Sequence, residues 1–283
     1  MNIFEKYKNY ILIFVIVILL ITFIIPKIIN NDLEKKLDSE KNRRTRNNIN
    51  NTLNNTLNNL ETFKNKEDNY TKYLKNKSVI IVGPAEHVNS GKFIDSHDVV
   101  IRLNRGLKLC EKPEKYGSKT NIMYFADHHS YNGLTKEDLK KLNFIKFQFP
   151  DADNKDYFYP LGPKEYEGYK TIPFSNTILR SDKSYLDFEK EIKTRPNTGT
   201  FAIWDILRYP IKSLYITGIT LNTSNYNEDY YKTIKNFDIK KVKNDKIHGT
   251  HNLSNMARYY NTLLKNNKVS YDDNFIKSIK ILI

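Results

Sequence analysis

The chain has 283 residues, a formal net charge of +14 and a single cysteine, Cys110. That length admits one domain of ordinary size with appendages, and one cysteine excludes an intramolecular disulfide, so stability must come from a packed core. The positive charge suits anionic membranes or acidic small substrates; it clusters only at Arg43-Arg44-Thr45-Arg46 and Lys240-Lys241-Val242-Lys243, no nucleic-acid module accompanies it, and no nucleic-acid partner is expected.

Residues 1–9 form a short tail, and Tyr10 to Ile25 reads YILIFVIVILLITFII without a charge. Carried on to Ile29, the run has about 20 residues, enough for the roughly 30 Å of a bilayer core. No small-residue cleavage site follows it, so a retained membrane anchor is expected over 10–29. Lys27, Lys35, Lys36, Lys41, Arg43, Arg44 and Arg46 come after it, against Lys6 and Lys8 before it. By charge alone the following side would stay cytosolic. Residues 30–76 contain neither Gly nor Pro and form a stem. Leu33, Leu37, Ile49, Leu53, Leu57 and Leu60 fall at three- and four-residue spacings, which suits an amphipathic helix or a coiled coil and a homo-oligomer joined through it. The polarity of the segment equally suits a disordered spacer.

From Lys77 the patterning changes. Ser78–Val82, Val99–Leu103, 121–125, 144–149 and Ser213–Thr217 are short β-branched or aromatic runs, the first closed by Gly83-Pro84 and the last by Gly218. Helical patterns lie over 136–142, 185–193, 200–207 and 252–264. The alternation predicts an α/β domain over 77–283, with a mostly parallel sheet and helices on both faces. Ligands of such sheets bind beyond the carboxyl ends of the strands, at a topological switch point. This directs attention to the loops after Val82, Leu103 and Lys193.

In the first loop, Gly83 before Pro84 and Ala85 lets the backbone approach a ligand closely. Asn104, at the end of the second strand, offers both a donor and an acceptor. Arg102 or Arg105 beside it can pair with a phosphate or a carboxylate. In Arg195-Pro-Asn-Thr-Gly199, Asn197 or Thr198 can cap the next helix, and Thr198 and Gly199 lie where free amides form an anion site. His248 and His251 precede the last of the four helical patterns, where a His can act as a general base; no third ligand stands nearby for zinc. Asp151-Ala-Asp153 reads as a D-x-D pair able to hold a divalent cation on a nucleotide, or as a polar loop. Taken singly, each loop is also an ordinary turn, cap or surface pair.

The order of these segments adds to their weight. The run VIIVGPAEHVNSGKFIDSHDVVIRLNRGL, then Tyr116-Gly-Ser-Lys-Thr-Asn-Ile122, looks like the large sialyl motif of the eukaryotic-type sialyltransferases, glycosyltransferase family 29. RPNTGTFAIWDILRYPIKSLYITGI resembles their small sialyl motif. Tyr226, Asp229, Tyr230 and Tyr231 fall where the family has a short aromatic motif, and His251 falls on the His of its last motif, H-x4-E. The resemblance implies a Rossmann-like, GT-A-variant fold and a CMP-activated sugar donor, with no metal or cofactor. It implies donor contacts from Gly83, Pro84, Ala85, Asn104, Asn197, Thr198, Gly199, Tyr230 and Tyr231. His251 would take the proton of an acceptor hydroxyl as the sugar is transferred with inversion; His248, Arg102 and Arg105 stand as second-base or phosphate candidates. The acceptor would be a glycan on a glycoprotein or glycolipid. The family's topology places the catalytic domain in the secretory lumen, against the charge count.

The chain departs from that pattern in three places: Asn197 stands where Ser is usual, Met256 where the last motif has Glu, and the cysteine pair of animal members is absent. The donor sugar therefore stays open between sialic acid and related acidic keto-sugars. Met256 keeps alive the alternative of a non-catalytic CMP- or glycan-binding membrane protein, and the D-x-D pair that of a metal-dependent glycosyltransferase.

Overall fold

The computed structural model describes residues 64–126, 135–148, 177–178, 182–230, 246–248 and 250–283, with isolated positions elsewhere. The chain divides into two units, Met1–Thr62 and Phe63–Ile283. The expected anchor at 10–29, the stem as far as residue 63, and Asp151, Asp153 and Tyr231 lie outside the described residues, isolated positions apart. Among the described residues no helix is long and apolar enough to cross a membrane.

Helix α1 spans 64–74. It precedes the change of patterning at Lys77, yet Tyr70 and Leu74 are fully buried in the main core. Four residues apart, they share one face of the helix and bring it onto the sheet. The folded unit therefore begins ahead of Lys77, at Phe63.

The sheet contains β1 (Ser78–Val82), β2 (Val99–Leu103), β3 (Ile122–Phe125), β4 (Phe144–Phe147), β5 (Thr177–Ile178) and β6 (Ser213–Thr217). After the separate antiparallel hairpin of β7 (Ile247–His248) and β8 (His251–Asn252), β9 (Val269–Tyr271) completes it. Its order is β5-β4-β3-β2-β1-β6-β9, and every pairing is parallel. Side chains of a strand alternate between faces, and both faces here are apolar. Ile80, Val82 and Val100 pack with Val88, Ile94, Leu109 and Tyr116 under α2 (Gly91–Asp95) and α3 (Pro113–Tyr116). Met123, Phe125, Ile145 and Phe147 pack with Leu139 of α4 (Lys136–Lys140) and with Leu142. Val79, Ile81, Val99, Ile101, Ile122 and Tyr124 belong to the main core. That core is closed by α1, α5 (Asp182–Ile192), α6 (Thr198–Leu207), α7 (Leu253–Leu263) and α8 (Asp273–Leu282). The sequence runs thus form the expected elements, β1, β2 and β6 with the expected ends and the others with ends moved by at most three residues.

Because β1 lies between β2 and β6, the chain leaves it in both directions, and the switch point lies between the carboxyl ends of β1 and β6. There two backbones touch. Gly83 N donates to Thr217 O at 2.7 Å and Ala85 N to Gly218 O at 3.2 Å. A Cβ on Gly83 would lie 2.2 Å from Gly218 O, and Gly218 itself has φ of +69°. Asp272 holds the junction from the other side: Oδ2 accepts from Thr217 Oγ1 and Gly218 N, each at 2.8 Å, and from His87 Nε2 at 3.2 Å. Burial pushes the Asp272 carboxyl up, but these donors and the Phe275 amide outweigh it and hold the group below the usual carboxylate range. Gly83→Ala is expected to cost about 3 kcal/mol, since backbone rather than a side-chain tip must give way. The urea midpoint would fall with its slope unchanged; an unmoved midpoint would show that the two glycines can separate.

Candidate active site

Residues 193–197 connect α5 to α6, and none of them lies in a strand; Arg195, Pro196 and Asn197 lead into Thr198, the first residue of α6. Their position is set instead by side chains from other elements. Arg195 O accepts from His251 Nδ1 at 2.8 Å, and Pro196 O from Gln148 Nε2 at 2.6 Å. Asn197 N donates to Met256 Sδ at 3.5 Å, and Asn104 Nδ2 donates to Thr198 Oγ1 at 3.4 Å. The segment leads into the helix through Asn197, whose extended backbone (φ −76°, ψ 169°) and side chain, accepting from Thr200 N at 2.8 Å, make it the N-cap. Asn here does the work of Ser. The amides of Thr198 and Gly199 then stand in the first turn, where no intrahelical acceptor exists, at the positive end of the helix dipole.

Asn104 follows β2 in a left-handed conformation, φ 49°, which Asn tolerates better than most residues. It uses both ends of its amide, since Oδ1 accepts from Ala126 N at 2.8 Å while Nδ2 reaches Thr198. The expected Asn104 loop and the Asn197–Gly199 loop therefore meet.

His251 arrives from the β7–β8 hairpin, where it pairs with His248. Asn252 N donates to Thr194 Oγ1 at 2.9 Å, and the Asn252 side chain caps α7 by accepting from Asn255 N at 3.0 Å. The hairpin is thus fixed to the segment that leads into α6. A carbonyl only accepts, so the bond to Arg195 O assigns the ring proton to Nδ1 and the lone pair to Nε2. Met256, fully buried on α7, points its thioether at the α6 cap and accepts from Thr200 Oγ1 at 3.2 Å as well as from Asn197 N. It occupies the space under the cap rather than orienting the imidazole.

Beneath α6 lies a buried polar network. Lys146 Nζ is 2.7 Å from Asp205 Oδ2, donates to Tyr209 Oη at 2.6 Å, and sits 4.6 Å from the centroid of the Tyr70 ring. Tyr124 Oη donates to the same Asp205 oxygen at 2.7 Å, and Tyr209 in turn donates to Glu67 of α1. Burial first, and then the Asp205 charge, push the Tyr124 and Tyr209 hydroxyls well above their usual range.

Other expected contacts are spent on the fold. The amides of Gly83 and Ala85 are taken by Thr217 and Gly218, Pro84 O accepts from Asn227 N at 2.8 Å, and Ala85 O accepts from Tyr116 Oη at 3.0 Å. The missing Cβ of Gly83 leaves room for the Gly218 backbone. Arg102 is fully buried, with Nε on Thr120 Oγ1 at 2.8 Å and Nη2 on the carbonyls of Tyr116, Gly117 and Lys119. It braces the turn after α3 through Nε and Nη2. Tyr230 is 5% exposed, packed among Val82, Tyr116 and their neighbours. Arg105 precedes the 3-10 turn Gly106–Glu111 as its N-cap. Sequence reasoning passed over Gln148; the only signal was a polar residue closing an aromatic strand. Among the described residues no group of three or more His, Cys, Asp and Glu side chains is placed to hold a metal ion.

A family model described as glycosyltransferase family 29 (sialyltransferase) matches residues 27–209, a span that includes Asn104 and Asn197–Gly199 and stops before His251. A crystal structure of a mammalian sialyltransferase matches with a TM-score of 0.44 at 15% identity, covering 70% of this chain and 69% of that one. A crystal structure of a mammalian sialyltransferase in complex with Gal-beta-1-3GalNAc-ortho-nitrophenol matches with a TM-score of 0.42 at 14% identity, covering 71% of each chain. No curated protein matches the chain.

Proposed function

Because the chain belongs to glycosyltransferase family 29, the sialyltransferases, we propose that it moves sialic acid, or a related acidic keto-sugar, from a CMP-activated donor to a hydroxyl of a glycan on a glycoprotein or glycolipid. The observation that carries this reading is the bond from His251 Nδ1 to Arg195 O, which leaves the Nε2 lone pair as a base and fixes it to the segment leading into α6. In the reaction the acceptor hydroxyl gives its proton to Nε2 while its oxygen attacks the anomeric carbon. The bond from that carbon to the CMP phosphate breaks, and the electron pair leaves with the phosphate. The first-turn amides of Thr198 and Gly199 and the α6 dipole stabilise the charge that develops there, with Asn104 beside them. Attack opposite the leaving group inverts the anomeric centre. Arg195 O does for the ring what a carboxylate does in many base–orienter pairs, so Met256 in place of Glu is compatible with activity.

The test is release of CMP from CMP-sialic acid by the purified full chain, with acceptor glycans and with EDTA throughout. Turnover insensitive to the chelator is expected. Chelator-sensitive turnover would overturn the metal-independent reading, and binding of CMP without turnover would leave only a binder.

The reading also carries a topology, with residues 10–29 as anchor and the folded unit in the secretory lumen. Asn69 and Asn76 are exposed and lie in Asn-x-Ser/Thr sequons, whereas Asn222 is 5% exposed and Asn252 caps α7. Expression in a glycosylating cell is expected to give glycan on Asn69 or Asn76; a chain free of glycan would argue for the cytosolic orientation favoured by the flanking charges.

A further inference from the structure

Gln148 directly follows β4 at the carboxyl edge of the sheet, the edge at which ligands of such folds bind, yet it is 1% exposed. It cannot meet a substrate directly. Its Nε2 donates to Pro196 O at 2.6 Å and to Tyr185 Oη of α5 at 3.2 Å. Because Pro196 O only accepts, the orientation of the amide is fixed, with nitrogen toward the carbonyl. Proline has no N–H, so this carbonyl is the only backbone polar group through which the protein can hold residue 196.

The residues on either side give that hold its importance. Arg195 O, one residue back, orients His251, and Asn197, one residue forward, caps α6. We propose that Gln148 is a positioning residue for the transfer: through Pro196 it sets the base carried by His251 in register with the first-turn amides of α6. This rests on the reading of His251 as the base. No strand ladder shares the task, because the segment pairs with no neighbouring strand. The interaction acts on the geometry between base and leaving group, and displacements near 1 Å in such arrangements cost on the order of 100-fold in rate.

The test compares the full chain with Gln148→Met, which keeps the volume and removes the donor, and with Gln148→Glu. In Gln148→Met, kcat is expected to fall about 10- to 100-fold with a much smaller change in donor KM. The Nδ1–H resonance of His251, assigned by its loss in His251→Ala, is expected to broaden or shift. In Gln148→Glu the ionised carboxylate faces the Pro196 carbonyl and repels it, whereas the protonated carboxyl can donate to it. The activity ratio of Gln148→Glu to the native chain is therefore expected to rise as pH falls, measured well below both melting temperatures. A purely structural role would lower the melting temperature while leaving kcat, the His251 resonance and that ratio unmoved, and that result would overturn the proposal. Should Gln148→Met not fold, Gln148→Glu alone decides. Loss of activity in His251→Ala beside native kcat in Gln148→Met would sink only the positioning role. Native turnover in His251→Ala would sink the base and the positioning role together.

Discussion

His251→Ala is expected to lower CMP-sugar turnover about 10²- to 10⁴-fold, the range typical of losing a general base. The nucleotide should still bind, because the first-turn amides of α6 and Asn104 remain in place. Isothermal titration with CMP and a CMP-release assay on the same preparation separate the two effects. The prediction follows from the proposed role of His251, whose Nδ1 lies 2.8 Å from Arg195 O. His248 lies directly across the two-residue strands of the hairpin. If His248→Ala removes turnover and His251→Ala does not, the base is on the opposite strand and the assignment is wrong. Folding should tolerate either change, since His251 is half-buried and the hairpin is also held by Asn252 and Leu253 through Thr194 and Lys246.

Lys146→Met is expected to destabilise the domain by about 3–5 kcal/mol, because it leaves Asp205 as a buried carboxylate without its cation. Both side chains are 2% exposed, and the pair is 2.7 Å apart. Arg208 reaches the other Asp205 oxygen only at 3.4 Å and is itself 39% exposed, so it compensates weakly. At about 2–4 °C per kcal/mol for a domain of this size, the melting temperature should drop by roughly 10 °C. The double variant Lys146→Met with Asp205→Leu should recover much of that loss, since an apolar replacement of both partners removes the desolvation cost along with the attraction. A single variant that melts like the native chain would mean that water or a neighbouring group solvates Asp205. Asp205 stands near the carboxyl end of α6, away from its first turn, so activity measured well below the melting temperature should survive.

Patterning reveals the strands because both faces of a parallel sheet are covered, which makes β1, β2 and β3 short, mostly apolar runs, broken inside β2 only by Arg102. It reveals the meeting of Asn104 with Asn197–Gly199 only through the resemblance; no spacing rule brings positions so distant in the chain together. Helix α1 is obscure because its buried contribution is Tyr70, Leu74 and the Glu67 hydrogen bond, set in a segment that is otherwise Lys, Asn and Glu. The burial of Arg102 is hidden for a related reason. A charge in sequence says nothing of burial, and Nη2 of this guanidinium holds backbone carbonyls of the turn after α3. The close approach at Gly83 is hidden in the same way, since the residue that needs its missing Cβ is Gly218, just past β6. Gln148 shows only as a polar residue after an aromatic strand; nothing marks its partner, because that partner is a carbonyl, and carbonyls are the same at every residue.

The sheet order has a consequence for how the protein is made. β1, the earliest strand among the described residues, lies inside the sheet between β2 and β6, and β6 is synthesised more than a hundred residues later. The hairpin bearing His251 and the outer strand β9 come later still. Pairings between segments so far apart in sequence form slowly, and until they form, one long edge of β1 stands open to other chains. A nascent chain stalled before β6 would expose that edge, so protection from aggregation should appear only once β6 has followed.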